Sequence, residues 1–338
     1  LKTVAGDGMR KLLARLTTNR FKAVLAGGFT TAVIQSSSVT TVLTVGFVSA
    51  GLISLQQSVG IIMGAEIGTT ITAQIIAFKI TKFALAIVAV GFVLKFFFKS
   101  EKVRQYGVMI LGFGLVFFGM TLMKQAMGPL KEYDPFLGLM EGMDNPLLGI
   151  LTGALFTGLV QSSSATTGVV IALGASGLVS LEGAIALVFG ANIGTCVTAL
   201  LASIGKQREA VRTALVHVTF NTMGVLLWFA FIPLLADTVR GLTDDPARQI
   251  ANAHTAFNVA NTLLFIGFTG VFASFVTWVL PIKPEVIPGR LRPKFLDDNL
   301  LETPALALDR VEMELGRLGK RVRNLVSRAP SAIMTGTE

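Results

Sequence analysis

Two identical polar tetrads, Gln35-Ser36-Ser37-Ser38 and Gln161-Ser162-Ser163-Ser164, interrupt stretches of the chain that are otherwise apolar. Serine is a strong helix N-cap, and the free N–H groups of a first helical turn make a ready anion site. A glycine-bracketed patch follows each tetrad: Gly64-Ala65-Glu66-Ile67-Gly68-Thr69-Thr70, and Gly190-Ala191-Asn192-Ile193-Gly194-Thr195. Read as breaks in a helix, these patches add N-termini at Thr69-Thr70 and at Thr195. An oxyanion would then meet four positive dipole ends and a ring of hydroxyls from Ser36, Ser37, Ser38, Thr69, Thr70, Ser162, Ser163, Ser164 and Thr195. No lysine or arginine occurs in any of the four segments, so an anion held there would profit from a co-bound cation.

Oxygen donors suited to sodium lie alongside. They are the Gln35 and Gln161 amides, the Thr40 and Thr166 hydroxyls, Asn192, Glu66, and carbonyls freed at Gly64 and Gly190. Glu66 stands where the other copy has Asn192. At membrane depth it could serve as a cation ligand, a proton carrier or a protonated structural hydrogen-bonder. Blander readings stand beside these. Serine and threonine pack and hydrogen-bond between membrane helices, and glycine permits close helix contact. The sets His217/Asn221 and His254/Asn258/Asn261 fit interhelical hydrogen bonding as well as substrate contact. Two histidines are too few for a transition-metal site, and the serines have neither a base nor an orienting acid, so no enzyme and no cofactor are expected. Sodium is the one metal called for, as a coupling ion.

The elements that position these residues follow from an internal duplication. Shifting the sequence by 126 positions lays 27–73 on 153–199 with nineteen identities in forty-seven pairs. The apolar segment around each tetrad spans about thirty residues, too few for two crossings at ~20 each. Each therefore reads as a re-entrant hairpin with the tetrad at its tip. The segments 56–78 and 182–204 read as broken spans, and 83–98, 106–124, 211–232 and 255–280 as continuous ones. The expected fold is an all-α polytopic membrane protein of two inverted-topology repeats, each with a re-entrant hairpin and a broken transmembrane helix. The expected divisions are 1–98, 99–282, and a cytosolic segment 283–338. Repeat parity leads to the expectation of a further span before Leu1. The spacing of Leu308, Val311, Leu315, Leu318, Val322 and Leu325 predicts a helix packed against absent partners, with 329–338 disordered.

Composition agrees with a lipid solvent. The chain is 52% hydrophobic and only 14% charged, against roughly 25% for soluble domains. Its net charge of +9 comes from short basic runs between apolar blocks, which excludes nucleic-acid binding and makes that face cytoplasmic. The C-terminus falls on the same face. The single cysteine, Cys196, excludes a disulfide framework.

The paired tetrads, the Gly-Ala-x-Ile-Gly-Thr patches, and the runs from His217 to Asn221 and from Ala253 to Asn258 resemble the type II sodium-dependent phosphate cotransporter family. The resemblance covers about 20–280. It implies symport of inorganic phosphate with sodium, with Gln35, Ser36–Ser38, Gln161, Ser162–Ser164, Thr69, Thr70, Asn192 and Thr195 at the site. The tail from about 300 resembles the start of the PhoU-like helical domain of bacterial members. The stretch 125–146 is short and cysteine-free where animal members carry a long disulfide-bonded loop, so the resemblance implies a bacterial inner-membrane protein. Another oxyanion such as sulfate or arsenate, a phosphate-sensing regulator, a homodimer, and a cytosolic partner for the tail remain open at this point.

Overall fold

The computed structural model describes residues 16–78, 83–130, 132–281, 295–296 and 304–335, and its described elements are all helices. The chain divides into two units, Leu1–Ile282 and Lys283–Glu338.

In the first unit, α1 (Arg20–Ile34) starts at Asn19, whose side chain accepts the Lys22 N–H. Only Gln35 and the N-cap Ser36 separate it from α2 (Ser37–Ser49). A capping box between Ser54 and Gln57 opens α3 (Leu55–Ile76). Two further helices, α4 (Ala84–Phe97) and α5 (Glu101–Leu130), pack as a pair. A bend of 106° then joins α6 (Asp134–Gly142) to α7 (Pro146–Val160). The arrangement of α1 and α2 recurs in α7, Gln161, Ser162 and α8 (Ser163–Ala175). Next come α9 (Leu181–Gly194) and α10 (Cys196–Ser203), joined at Thr195. A single 3-10 turn, Phe229–Phe231, links α11 (Arg208–Trp228) to α12 (Ile232–Arg240). Another, Ile266–Phe268, links α13 (Pro246–Phe265) to α14 (Thr269–Val279).

Among the described residues, five helical stretches are long and apolar enough to cross a membrane: Leu55–Ile76, Glu101–Met123, Leu181–Ser203, Arg208–Arg240 and Pro246–Val279. Exposed Leu25, Phe29, Leu159 and Trp278 give the unit an apolar exterior suited to lipid. The span expected over 83–98 is shorter than anticipated. The 14 residues of α4 reach roughly 21 Å, against a ~30 Å hydrocarbon core.

The glycines correct a larger expectation. α3 runs without interruption through Gly64, Gly68, Thr69 and Thr70, and α9 runs through Gly190. At Thr195 the backbone stays right-handed helical, and its N–H reaches the Ala191 carbonyl at 3.0 Å. No helix restarts at Thr69-Thr70, and Gly64 and Gly190 free no carbonyls by unwinding. The glycines serve helix contact instead. A Cβ on Gly64 would stand 1.9 Å from the Val24 carbonyl oxygen, and one on Gly27 2.1 Å from that of Ile61. Their equivalents 126 residues on repeat this, with Gly190 against Ile150 and Gly153 against Leu187, both at 2.1 Å. Backbone thus lies on backbone between α1 and α3, and between α7 and α9.

The described part of the second unit is Phe295, Leu296 and α15 (Pro304–Thr335). Its apolar seam is exposed, from 37% at Leu318 to 71% at Leu325. The disorder expected from 329 is overturned through Thr335, where the backbone is still helical; 336–338 lie outside the described residues.

Gly64→Ala and Gly190→Ala are each expected to cost about 1–3 kcal/mol through overpacking. Gly46→Ala, whose added Cβ meets nothing within 4 Å, should hold or gain up to about 1 kcal/mol. Thermal unfolding of the detergent-purified protein checks this, and unchanged melting of both buried variants would contradict the close contact.

Candidate functional site

Each tetrad forms a tight turn between two helical limbs. Gln35 and Gln161 end the first limbs in the left-handed conformation, at φ 60° and 58°. They are the only described non-glycine residues with positive φ. A residue with a side chain pays about 1–2 kcal/mol for that conformation, and such outliers cluster at functional sites. The next residues, Ser36 and Ser162, are extended and cap the second limbs. Their hydroxyls accept the N–H groups of Val39 and Ala165 at 3.3 and 3.2 Å. The N–H groups of Ser37, Ser38, Ser163 and Ser164 belong to first helical turns, which carry the positive end of the helix dipole.

A relay of hydroxyls ties the limbs in both halves. Thr31 donates to Thr40, and Thr157 to Thr166, each at 2.8 Å. Thr40 and Thr166 donate in turn to the Ser36 and Ser162 carbonyls, both at 3.2 Å. The halves diverge outside this frame. Gln35 is half-buried; its amide N–H donates to the Ala32 carbonyl and its oxygen accepts the Thr72 hydroxyl at 2.8 Å. Gln161 is exposed.

The tips reach across the duplication. α2 packs on α10 and α11, whereas α8 packs on α3 and α13. The Ser38 and Thr195 hydroxyl oxygens lie 3.4 Å apart, although 157 residues separate them. The equivalent pair is arranged otherwise. Thr69 donates to the Ala65 carbonyl at 3.0 Å, and Thr70 to that of Ile67 at 2.8 Å. Ser164 instead lines an apolar cavity of about 450 Å³ with Thr72, Ile76, Met120 and Gly168. The expected phosphate and sodium residues therefore lie on the two tips and the two helices behind them. The structure joins Ser38 with Thr195, and Gln35 with Thr72.

Behind the tips lies a buried polar core shared by α3, α9, α11 and α13. The His217 ring nitrogen Nε2 and Glu66 Oε1 are 2.7 Å apart, with both side chains at most 2% exposed. The counterpart of Glu66, Asn192, donates to the Asn258 amide oxygen at 3.2 Å. Asn221 donates to the Cys196 sulfur at 3.4 Å, and Gln74 to Asn252 and Thr255 at 3.1 and 2.9 Å. Interhelical bonding of His217, Asn221 and Asn258 is thus what the geometry displays. Sequence reasoning did not single out Thr31, Thr157 or the partner of Glu66. One signal was readable: both threonines are among the repeat identities, and the spacing His-x-x-Phe-Asn occurs at 217–221 and 254–258.

The model of the family described as Na+/Pi-cotransporter matches residues 1–125 and 137–271, and the chain belongs to that family. Bacillus subtilis YqeW, named as an uncharacterized protein, is 32% identical over 284 residues, which are 84% of this chain and 92% of that protein. The Escherichia coli "Putative inorganic phosphate export protein YjbB" is 30% identical over 324 residues, 96% of this chain; the match covers 60% of its own length. The rat sodium-dependent phosphate transport protein 2C is 45% identical over 92 residues, 26% of this chain and 15% of that protein. No solved structure matches the chain. It is a helical membrane protein of a transporter family.

Removing one member of the Glu66–His217 pair leaves a buried polar group without its partner. His217→Leu is expected to cost about 3–5 kcal/mol. The double variant Glu66→Leu/His217→Leu should be less destabilised than the sum of the singles. A double-mutant cycle by thermal or denaturant unfolding measures this coupling, and strict additivity would deny it.

Proposed function

We propose that this member of the Na+/Pi-cotransporter family carries inorganic phosphate across a membrane together with sodium, by alternating exposure of a site made by the two tetrads. The observation that carries the reading is the pair of matched tips. Each presents a serine-capped helix start without a fixed cation, and the first reaches the opposite half through Ser38 and Thr195. Phosphate oxygens would take the first-turn N–H groups and hydroxyls of Ser36–Ser38 and Ser162–Ser164, with Thr69, Thr70 and Thr195 behind them. Sodium would take Gln35, Thr40, Glu66, Gln161, Thr166 and Asn192. Thr40 and Thr166 each donate to a backbone carbonyl and accept from Thr31 or Thr157, which leaves each one oxygen lone pair for a cation.

Limb length supports re-entrant hairpins. The 15 residues of α1 and 13 of α2 reach roughly 22 and 20 Å, short of the ~30 Å core. Inverted repeats are supported by the reciprocal packing of each second limb on the other half. The basic runs support a bacterial inner-membrane orientation with a cytoplasmic C-terminus. Inward symport is the primary direction. Outward movement is a second reading, favoured by the phosphate export named for the Escherichia coli relative.

Ser38 against Thr195, with Ser164 beside a cavity, fits a transporter with one gate shut and the other open. Exchange of conformation between the halves would bring Ser164 to Thr69 and part Ser38 from Thr195. In a Cys196→Ser background, the pairs Ser38→Cys/Thr195→Cys and Thr69→Cys/Ser164→Cys should cross-link reciprocally as sodium and phosphate are added. Cross-linking that ignores both substrates would sink the gate assignment.

Transport itself is tested by radiolabelled phosphate uptake into proteoliposomes. A sodium gradient is expected to drive accumulation, reversal of the gradient to reverse it, and unlabelled sulfate to compete poorly. Uptake indifferent to sodium would end the symport reading. Stronger competition by sulfate than by unlabelled phosphate would reassign the substrate.

A further inference from the structure

An anion site at the tips needs the first turns of α2 and α8 held in one register, and the tetrads alone do not hold them. Thr31 and Thr157, in the last turns of α1 and α7, are fully buried. Each acts on its tip through two atoms. The backbone carbonyl accepts the N–H of the left-handed glutamine, at 2.6 Å in both halves. The hydroxyl enters the relay that ends on the carbonyl of the capping serine. One residue therefore sets both the end of the first limb and the start of the second.

We infer that Thr31 and Thr157 are positioning residues of the phosphate site, which fix the serine-capped turns without touching the ligand. The inference rests on the transport reading of the tips. The two relays have the same three distances, although the surrounding residues have diverged: Val39 stands where the second half has Ala165, and the two glutamine side chains differ in burial. A packing role alone would be filled equally by valine, which has the shape of threonine without its donor. The bond also orients the second hydroxyl. With Thr31 donating into it, the Thr40 proton is directed to Ser36, and the peptide that opens the first turn of α2 is pinned.

The test compares serine with alanine at each position in the full protein. Both lack the threonine methyl, and serine adds only the hydroxyl. Relative to Thr31→Ser, Thr31→Ala is expected to raise the KM for phosphate about fivefold, the loss implied by one hydrogen bond, with kcat within about twofold. The Thr157 pair should behave alike, and it decides the question if Thr31→Ala does not fold. Amide hydrogen exchange at 36–38 and 162–164 gives a readout without transport, and should quicken locally in the alanine variants alone. Equal KM and equal exchange for serine and alanine would overturn the inference, as would a loss of thermal stability with KM and exchange unchanged. A wild-type protein that moves no phosphate would instead defeat the transport reading, while the exchange comparison would still report whether the threonines hold the tips.

Discussion

The contact between α1 and α3, and its copy between α7 and α9, sets where everything else can stand. Gly27 and Gly64 let two helix backbones touch without side chains between them, and Gly153 and Gly190 do the same in the second half. Lipid gives no hydrophobic drive for helix association, so close backbone packing has to supply much of the adhesion. With α1 pressed on α3, the turn at Gln35 lies beside α3, where its amide oxygen takes the Thr72 hydroxyl. The tip is located by the packing of its first limb, and the Thr31 relay then locates its second.

Equivalence of the halves ends in the polar core. The backbone frame is repeated, yet the side chain at the matched position is an acid in one half and an amide in the other. Glu66 meets an imidazole on α11, whereas Asn192 meets an amide on α13. Both arrangements give a buried side chain a hydrogen-bond partner on another helix. The core therefore pairs a carboxyl group with an imidazole at one of the matched positions and two amides at the other, although the scaffold around it was built twice from one pattern.

Much of this was legible in the residues. The duplication, the turns between helices at both tetrads and the N-cap role of Ser36 and Ser162 could be read directly, because they depend on local chemistry and on comparison of the chain with itself. The state of Gly64 and Gly190 could not. A glycine beside polar residues suits unwound backbone and close helix contact equally, and the choice rests on what faces it, here Val24 and Ile150. The left-handed glutamines were hidden because glutamine has no preference for that conformation. The Glu66–His217 contact was hidden because its partners lie 151 residues apart and nothing local marks them.

Reciprocal packing also has a consequence for how the protein is made. The first tip is synthesised early, but its neighbours on α10 and α11 come much later: 157 residues separate Ser38 from Thr195. At about 5–20 residues per second, a ribosome needs on the order of 8–30 s to cover that stretch. Throughout that interval a polar turn flanked by short apolar limbs has left the ribosome without the surface it will finally occupy. The second tip waits about half as long, since α3 precedes it and α13 begins at Pro246, 82 residues after Ser164. The nascent first tip therefore needs shelter during membrane insertion for longer than the second, and substitutions that slow the arrival of α10 and α11 would act on it from a distance.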